Sequence, residues 1–203
     1  MIWTAVVPLK EAPNRKTRLG PGLALQERID LSDHMARHVI ASLKESAAVG
    51  RVLLLSPAFP DTLEVEWLPD NNRGINTELG CFRAGQRGPI VVVNADLPLL
   101  LGEDIDTLLA AAEDRGVAIA PDRHGEGTNA IALADERPFR FAFGPGSFRA
   151  HSAEASCVIV RRAGLAFDID SPADLEAART AGLLDRVLCV EGSDLNQPSN
   201  RMR

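Results

Sequence analysis

Three aspartates stand at positions where carboxylates could hold a metal ion. Asp96 follows the β-branched run of residues 90–93, so it would lie where a buried strand delivers its last residues to a ligand crevice. Asp168 and Asp170 alternate within residues 167–170, and if that segment is extended both side chains point to the same side. Carboxylates so close repel one another unless a divalent cation or a shared proton compensates, and oxygen ligands favour Mg²⁺ or Mn²⁺.

Each of these acids also has a structural interpretation. Asp96 precedes a Leu-Pro pair and could cap a turn. For an isolated Asp-x-Pro, this structural interpretation has at least the same weight as a role in ligand binding. Asp168 and Asp170 precede a predicted helix that has Ser171 as its N-cap and a proline in its first turn. Asp174 fits the role of a helix-start acid best, and we predict that it is structural.

A basic loop supplies the opposite charge. Residues 10–22 lie between the first apolar run and a long segment of helical periodicity, and they contain Lys10, Arg15, Lys16 and Arg18. Cations and free backbone N–H groups in such a loop bind phosphates, although a solvated basic loop is an alternative of equal weight. The GxxxxGK[ST] pattern of a P-loop is absent, so a phosphate site here would have another geometry.

Two glycine-containing segments could bind an anionic ligand. GEGTNAIAL, residues 125–133, contains Thr128 and Asn129, which could hydrogen-bond a ligand or a turn; it comes too late in the chain for a dinucleotide-binding loop. FGPGSFRAH, residues 143–151, places Gly144 before Ser147 at a predicted helix start, where amides and a hydroxyl can form a small anion site. The alternative is a Gly-Pro turn with Ser147 as N-cap.

Short apolar runs alternate with helical patterns along the chain, and these elements must position the candidate residues. Strands are predicted over residues 2–9, 52–55, 90–93, 117–120 and 130–133, with helices over residues 29–43, 75–82 and 105–112 between them. The alternation predicts an α/β fold with a mostly parallel sheet and helices on both faces. Such sheets bind ligands beyond the carboxyl ends of their strands.

Length and composition predict one domain and exclude some classes of partner. The 203 residues, 45% of them apolar, are expected to form a single domain over residues 1–190, with residues 191–203 as a polar, mobile tail. A formal charge of -6 argues against nucleic acid as a partner. No segment approaches about 18 uninterrupted apolar residues, so we expect no membrane span and a cytoplasmic protein. The three cysteines are too far apart to indicate disulfides or a zinc site, and we expect them in the core.

Six motifs together resemble one family. VPLK with KTRL, GINTEL, NADLPLL, GTNAIAL, FGPGSFRAH and DIDSPADL closely resemble, in this order, the CofC/FbiD guanylyltransferases of coenzyme F-420 biosynthesis, over roughly residues 3–180. The resemblance implies a nucleotidyltransferase fold of the nucleotide-diphospho-sugar transferase type, which is GT-A-like and Rossmann-like. It also implies transfer of GMP from GTP, with Mg²⁺ as cofactor, to the phosphate of a small three-carbon acid, with release of pyrophosphate.

The resemblance further implies a role for each motif. The metal ions would be held by Asp96, Asp168 and Asp170. The acceptor acid would contact Thr128, Gly144 and Ser147. The nucleotide phosphates would be held by Lys10, Lys16 and Arg18, which with Asp96 form the expected catalytic set. Asn76 of GINTEL would face the nucleotide.

The same resemblance leaves several questions open. Phosphoenolpyruvate, 2-phospho-L-lactate and 3-phospho-D-glycerate differ by a few atoms, and the sequence does not distinguish them as acceptors. The roles of Asn94 and His151, the residues that read guanine, the number of metal ions and the oligomeric state are equally undetermined.

Two other functions are compatible with parts of this pattern. Asp168-Ile169-Asp170 is formally a DxD motif, as in metal-dependent glycosyltransferases, although its late position beside the GTN and SF motifs counts against that class. A non-catalytic nucleotide-sensing subunit is the second alternative. The candidate carboxylates and the basic loop are all present, which argues against a decayed enzyme.

Overall fold

The fold is built on one seven-stranded sheet. A computed structural model describes residues 1–11, 16–59 and 63–183, and its strands lie in the order β3-β2-β1-β4-β6-β5-β7. The strands are β1 (Trp3–Pro8), β2 (Val49–Ser56), β3 (Glu66–Pro69), β4 (Ile90–Val93), β5 (Val117–Pro121), β6 (Thr128–Leu133) and β7 (Val158–Ile159). All neighbours pair in parallel except β6, which is antiparallel to both β4 and β5. The predicted α/β class and mostly parallel sheet are confirmed.

Helices fill the connections between strands. They are α1 (Leu25–Glu45), α2 (Ile75–Gly85), α3 (Gly102–Arg115), α4 (Ser147–Glu154), α5 (Ala163–Ala166) and α6 (Pro172–Thr180), together with a 3-10 helix over Thr17–Leu19. The helices predicted over residues 29–43, 75–82 and 105–112 correspond to α1, α2 and α3, and the helix starts predicted at Ser147 and Ser171 correspond to α4 and α6. Strands β3 and β7 were not predicted, because the four residues of β3 are mostly exposed and form no apolar run, and β7 has only two residues.

The short connection between β5 and β6 explains the one antiparallel strand. Residues 122–127 are fewer than the dozen or so that a parallel crossover requires, so the chain turns back as a hairpin. Asp122 closes this turn by accepting hydrogen bonds from the backbone N–H groups of His124, Glu126 and Gly127. A Cβ on Gly127 would lie 2.7 Å from Asp122 Oδ2. The GEG glycines therefore serve a hairpin, and the expectation that they form no dinucleotide loop agrees with the structure.

Apolar side chains cover both faces of the sheet, as predicted. One core packs alternate strand residues, such as Val7 and Val91, against α1 and α3. The opposite core packs residues such as Val6 and Val92 against α2 and a group of phenylalanines from residues 139–148. A third, smaller cluster joins the 3-10 helix, α1 and α6 through Leu19, Leu31, Met35, Ile169, Leu175 and Ala178. This third cluster lies next to the acidic segment of residues 168–170.

One expectation is wrong, and three others concern residues that the structure does not describe. Cys81 is exposed and Cys157 only half-buried, so the expectation of core cysteines is wrong for Cys81, which lies on the outer side of α2. Cys189, the predicted tail of residues 191–203 and the domain boundary at residue 190 lie outside the described residues. Within the described part of the chain, none of the helices has the length and apolar character needed to span a bilayer.

Candidate active site

Asp96 lies at the carboxyl end of β4, where the sequence predicted it. The backbone leaves the sheet after Val93, and Asn94 N–H donates to Asn129 O at 2.9 Å, so this segment lies beside the first residues of β6. The Asp96 side chain is only partly exposed. Its Oδ1 atom is buried without a hydrogen-bond partner among the described residues. A carboxylate oxygen in that state carries an uncompensated desolvation cost.

Asp168 and Asp170 reach the same place, although not on a strand. Residues 167–170 are irregular backbone between α5 and α6, and Ile169 N–H donates to Asp96 O at 3.3 Å rather than to a strand of the sheet. The extended strand from which the shared direction of Asp168 and Asp170 was argued is therefore absent from this segment. Its consequence still holds, since Ile169 is fully buried and the two flanking carboxylates turn away toward Asp96. One oxygen from each of the three aspartates lies within 4.8 Å of the others.

Asp174 supports this arrangement from α6, as its structural assignment predicted. Its Oδ2 accepts hydrogen bonds from Asp170 N–H at 3.1 Å and from Ser171 N–H at 2.7 Å, and Ser171 Oγ accepts in return from Asp174 N–H. Arg123, from the β5–β6 hairpin, forms an ion pair with Asp174 and lies over the ring of Phe167 at 4.9 Å. The helix start thus fixes the backbone of Asp170.

Lys16 is the cation that meets the acidic cluster. Its Nζ donates to Asp170 Oδ1 at 2.7 Å and also to Asp96 Oδ2, and its side chain is 10% exposed. Burial alone would lower the pKa of Lys16, but the charges of Asp96 and Asp170 outweigh it and raise the pKa above its ordinary value. The backbone of Lys16 is left-handed, with φ 48°, a costly conformation for this residue. The basic loop therefore turns sharply to deliver this ammonium group.

The pKa values of the two remaining carboxylates move in opposite directions. Burial, together with the charges of Asp96 and Asp170, raises the pKa of Asp168 to about 6. Burial also opposes ionisation of Asp170, yet Lys16, with Arg18 and Lys10 beyond it, holds the pKa of Asp170 below its ordinary value. The positive charge of Lys16 therefore compensates the negative charge of Asp170. In the described part of the chain, no such cation compensates Asp168, which lies near two other carboxylates.

The donor set fits a divalent metal ion. Three carboxylates converge, one of their oxygens is buried without a partner among the described residues, and burial together with the charges of Asp96 and Asp170 raises the pKa of Asp168. Mg²⁺ and Mn²⁺ prefer oxygen ligands of this kind. The residues that would hold such an ion are Asp96, Asp168 and Asp170.

The other predicted phosphate-binding cations lie around Lys16. Lys10 is exposed just after β1, and Arg18 is exposed in the 3-10 helix. Both contribute to the lowered pKa of Asp170, so their positive charges act on the acidic cluster. Arg15 lies outside the described residues. The structure thus brings three of the four predicted cations to the carboxyl edge of β1.

Asn76 has a contact that the sequence did not predict. Its Oδ1 accepts from Phe143 N–H at 2.7 Å and its Nδ2 donates to Phe143 O at 3.0 Å. The side chain thereby holds the FGPGSF segment against the first turn of α2. Whether Asn76 also faces the nucleotide stays a prediction.

Thr128, Gly144 and Ser147 come together from two segments. Thr128 begins β6, whose first residues lie at the edge where β4 and β5 end. The GTN segment meets the FGPGSF segment where Phe148 N–H donates to Glu126 O at 3.1 Å. Ser147, 2% exposed, begins α4, and Gly144 and Gly146 have positive φ of 134° and 71° in the turn before it. Their proposed contact with an acceptor stays a prediction.

Two asparagines link this region to the acidic cluster. Asn94 Nδ2 donates to Thr128 O at 3.1 Å and lies 3.3 Å from Asn129 Oδ1. Asn129 Nδ2 then donates to Leu165 O at 3.0 Å and lies 3.5 Å from Asp168 Oδ1. Sequence reasoning did not predict this support for Asp168, because no local pattern pairs residues of β6 with the segment after α5.

His151, whose role was open, is fully buried in α4. Its Nε2 accepts from Ala142 N–H at 2.8 Å, and its Nδ1 lies 3.0 Å from Thr128 Oγ1. Burial lowers the pKa of His151 to about 4, against a smaller opposing effect of Glu154. The imidazole is therefore neutral at physiological pH.

Comparisons with known proteins agree with this architecture. Two solved structures share the fold: a protein from Desulfovibrio desulfuricans assigned to the nucleotide-diphospho-sugar transferases, and 2-C-methyl-D-erythritol 4-phosphate cytidylyltransferase from Thermus thermophilus. The first has a TM-score of 0.68 and 16% identity, covering 98% of this chain and 92% of that one. The second has a TM-score of 0.51 and 18% identity, and the match covers 89% of this chain and 98% of the cytidylyltransferase.

Sequence comparison gives more specific relatives. Phosphoenolpyruvate guanylyltransferase of Sphaerobacter thermophilus is 41% identical over 191 residues, which cover 87% of this chain and 92% of the relative. 2-phospho-L-lactate guanylyltransferase of Methanosarcina mazei is 34% identical over 184 residues, which cover 84% of this chain and 83% of the relative. The family model described as guanylyl transferase CofC like matches residues 3–177. The chain therefore belongs to the CofC-like guanylyl transferase family.

Proposed function

We propose that this protein transfers GMP from GTP to the phosphate of a small three-carbon acid and releases pyrophosphate, as a step of coenzyme F-420 biosynthesis. The observation that carries the proposal is the convergence of Asp96, Asp168, Asp170 and Lys16 at the carboxyl edge of the sheet. Family membership supports guanylyl transfer, and the 41% identical relative makes phosphoenolpyruvate our first choice of acceptor.

The charges of the substrates explain why this site suits the reaction. An oxygen of the acceptor phosphate attacks the α-phosphorus of GTP, and the bond to the bridging oxygen breaks as pyrophosphate leaves. The nucleophile is already ionised, so no general base is required. The difficulty is to bring two anions together in line, which calls for positive charge and fixed orientation.

The protein's own residues would divide this task. Lys16, with Lys10 and Arg18 near it, would neutralise the phosphates of GTP, while Thr128, Ser147 and the backbone of Gly144 would orient the acceptor acid. Asp96, Asp168 and Asp170 would hold Mg²⁺ or Mn²⁺. When bound, the metal would neutralise phosphate oxygens and orient the reacting groups.

The test is a direct assay of the purified protein. GTP, Mg²⁺ and each of phosphoenolpyruvate, 2-phospho-L-lactate and 3-phospho-D-glycerate are supplied in turn. We expect pyrophosphate release with at least one acid, and a product whose mass is that of the acid plus GMP less water. Release of pyrophosphate without acid, or no release with any acid, would contradict the proposal. Cleavage of a GDP-sugar in a parallel reaction would favour the glycosyltransferase alternative.

A further inference from the structure

The hydrogen bonds of His151 determine which of its nitrogens carries the proton. Ala142 N–H points at Nε2 with an N···N distance of 2.8 Å, so Nε2 must be the unprotonated acceptor. A neutral imidazole then carries its proton on Nδ1. That atom lies 3.0 Å from Thr128 Oγ1, so the imidazole donates to the threonine hydroxyl.

This donation constrains a hydroxyl that would otherwise rotate freely. A threonine hydroxyl has one proton and two lone pairs, and here one lone pair is taken by Nδ1–H of His151. Because Nδ1 already carries a proton, the Thr128 proton cannot point to it and is available to another acceptor. The ring itself is held in place, since it is fully buried and lies with its centroid 4.9 Å from that of Phe143.

Thr128 lies at the edge of the sheet where the proposed acceptor acid would need a hydrogen-bond donor. It begins β6 at the edge where the parallel strands end, and its neighbour Asn129 contacts Asp168 at 3.5 Å. The FGPGSF segment closes over the same hairpin through Phe148 N–H and Glu126 O. Thr128 is 3% exposed, so its hydroxyl proton would reach only a ligand that binds between these two segments.

We propose that His151 is a positioning residue that fixes the Thr128 hydroxyl as a hydrogen-bond donor to the acceptor acid. The inference rests on the proposed function, because it takes the acid to be the ligand of Thr128. His151 touches no substrate in this role. It acts by removing the orientation in which the hydroxyl would donate to the imidazole.

Two substitutions separate the two hydrogen bonds of His151. Glutamine can place a carbonyl oxygen near Nε2 and keep the bond from Ala142 N–H, but it lacks the donor to Thr128. Asparagine can place an amide N–H near Nδ1 and keep that donor. We expect His151→Gln to raise the KM for the acid by about tenfold, with the KM for GTP within about twofold of the original value. His151→Asn should restore most of the affinity for the acid.

A double-mutant cycle with Thr128→Val provides the readout that a structural role would not change. Valine keeps the shape of the side chain and removes the hydroxyl, so His151→Gln should then change the KM for the acid by less than about twofold. The same increase in both backgrounds would overturn the inference. So would an unchanged KM for the acid in Thr128→Val itself.

The tautomer can be measured in the unsubstituted protein. Imidazole ¹⁵N chemical shifts should show a protonated Nδ1 and an unprotonated Nε2 for His151, and the opposite tautomer would overturn the inference even if a variant failed to fold. A protein that transfers GMP to none of the acids would refute the proposed function and this inference with it. Normal transfer with additive effects in the cycle would refute only the role of His151.

Discussion

Lys16 Nζ lies 2.7 Å from Asp170 Oδ1, and the same ammonium group donates to Asp96. Two carboxylates that would hold a divalent cation are therefore both in contact with a lysine. An ammonium ion and a metal ion cannot occupy the space between them together, so binding of metal must compete with this ion pair. The lysine that is proposed to hold the phosphates of GTP would then leave the carboxylates when nucleotide and metal bind.

Replacement of Lys16 should consequently have opposite effects on the two ligands. Lys16→Met removes the positive charge from the acidic cluster, and we expect the nucleotide-free protein to bind Mn²⁺ at least about threefold more tightly. The same variant should bind GTP about tenfold or more weakly, because a charge-assisted contact to phosphate is lost. Calorimetric titrations with Mn²⁺ alone and with GTP measure both effects.

Lys44→Met is a matched control, because Lys44 is exposed at the end of α1 and its Nζ donates only to Glu64 O among the contacts described. It should leave both affinities unchanged. Weaker Mn²⁺ binding in Lys16→Met would show that lysine and metal do not compete.

The three carboxylates should be required for turnover. Asp96→Asn or Asp170→Asn keeps the size of the side chain and removes a negative ligand, and metal-assisted charge stabilisation is typically worth several kcal/mol. We expect the rate of pyrophosphate release to fall by about a hundredfold or more, while the circular dichroism spectrum stays unchanged. Asp114→Asn, at an exposed position paired with Arg115, is the matched control. Near-normal turnover of both site variants at limiting Mg²⁺ would contradict the metal assignment.

The sequence predicted the parts of this site that depend on local order. Asp96 follows a β-branched run, and the end of a central strand places its side chain at the ligand edge whatever the rest of the fold does. Lys16 lies in the loop that joins β1 to α1, so its position near the same edge of the sheet was also predicted. The antiparallel direction of β6 could also have been predicted, since residues 122–127 are too few for a parallel crossover.

The unpredicted parts depend on contacts between distant segments. Residues 167–170 alternate like a strand, but they lack a neighbouring ladder and form none. Asn129 contacts Asp168, and His151 contacts Thr128, only after β6, α4 and α5 have packed together. A single sequence has no periodicity that pairs such residues.

Burial of His151 should make the stability of the protein depend on pH. The pKa of His151 is about 4 in the folded protein against 6.5 for an ordinary histidine, so between these values the unfolded chain binds more protons. The free energy of unfolding should be highest above pH 6.5 and fall as the pH decreases toward 4, by up to roughly 3 kcal/mol from this group. His151→Gln should reduce that slope, as measured by urea denaturation across this range.

Replacement of the exposed His124 by glutamine is the control for loss of an imidazole from the surface. Equal slopes for the original protein and His151→Gln would show that the imidazole titrates normally in the folded state.

The choice of nucleotide rests on family membership, because no described contact identifies a guanine-binding residue. We expect GTP to support transfer at least about tenfold more efficiently than ATP, CTP or UTP, compared as kcat/KM with the best acid at saturation. Competition assays with pairs of nucleotides and mass analysis of the product measure the ratio. Equal rates with ATP would leave a nucleotidyltransferase without preference for guanine.

Substitutions of Ser147 and Lys16 should affect different substrates, because the two residues lie in separate parts of the site. Ser147 begins α4, and its backbone N–H donates to Gly144 O at 3.1 Å, within the turn proposed to hold the acid. Loss of one hydrogen bond to a charged ligand costs roughly 1.5–3 kcal/mol, so Ser147→Ala should raise the KM for the acid about tenfold to hundredfold. Lys16→Ala should mainly weaken GTP binding or slow the chemical step.

A two-substrate matrix of initial rates for both variants, with GTP affinity checked by calorimetry, separates these effects. Ser152→Ala, in the second half of α4, is the matched control for Ser147→Ala and should change neither constant. If Ser147→Ala weakens GTP binding and leaves the KM for the acid unchanged, the FGPGSF turn contacts the nucleotide. The acceptor would then have to bind elsewhere along the edge of the sheet, because the turn next to Thr128 would already be occupied by GTP.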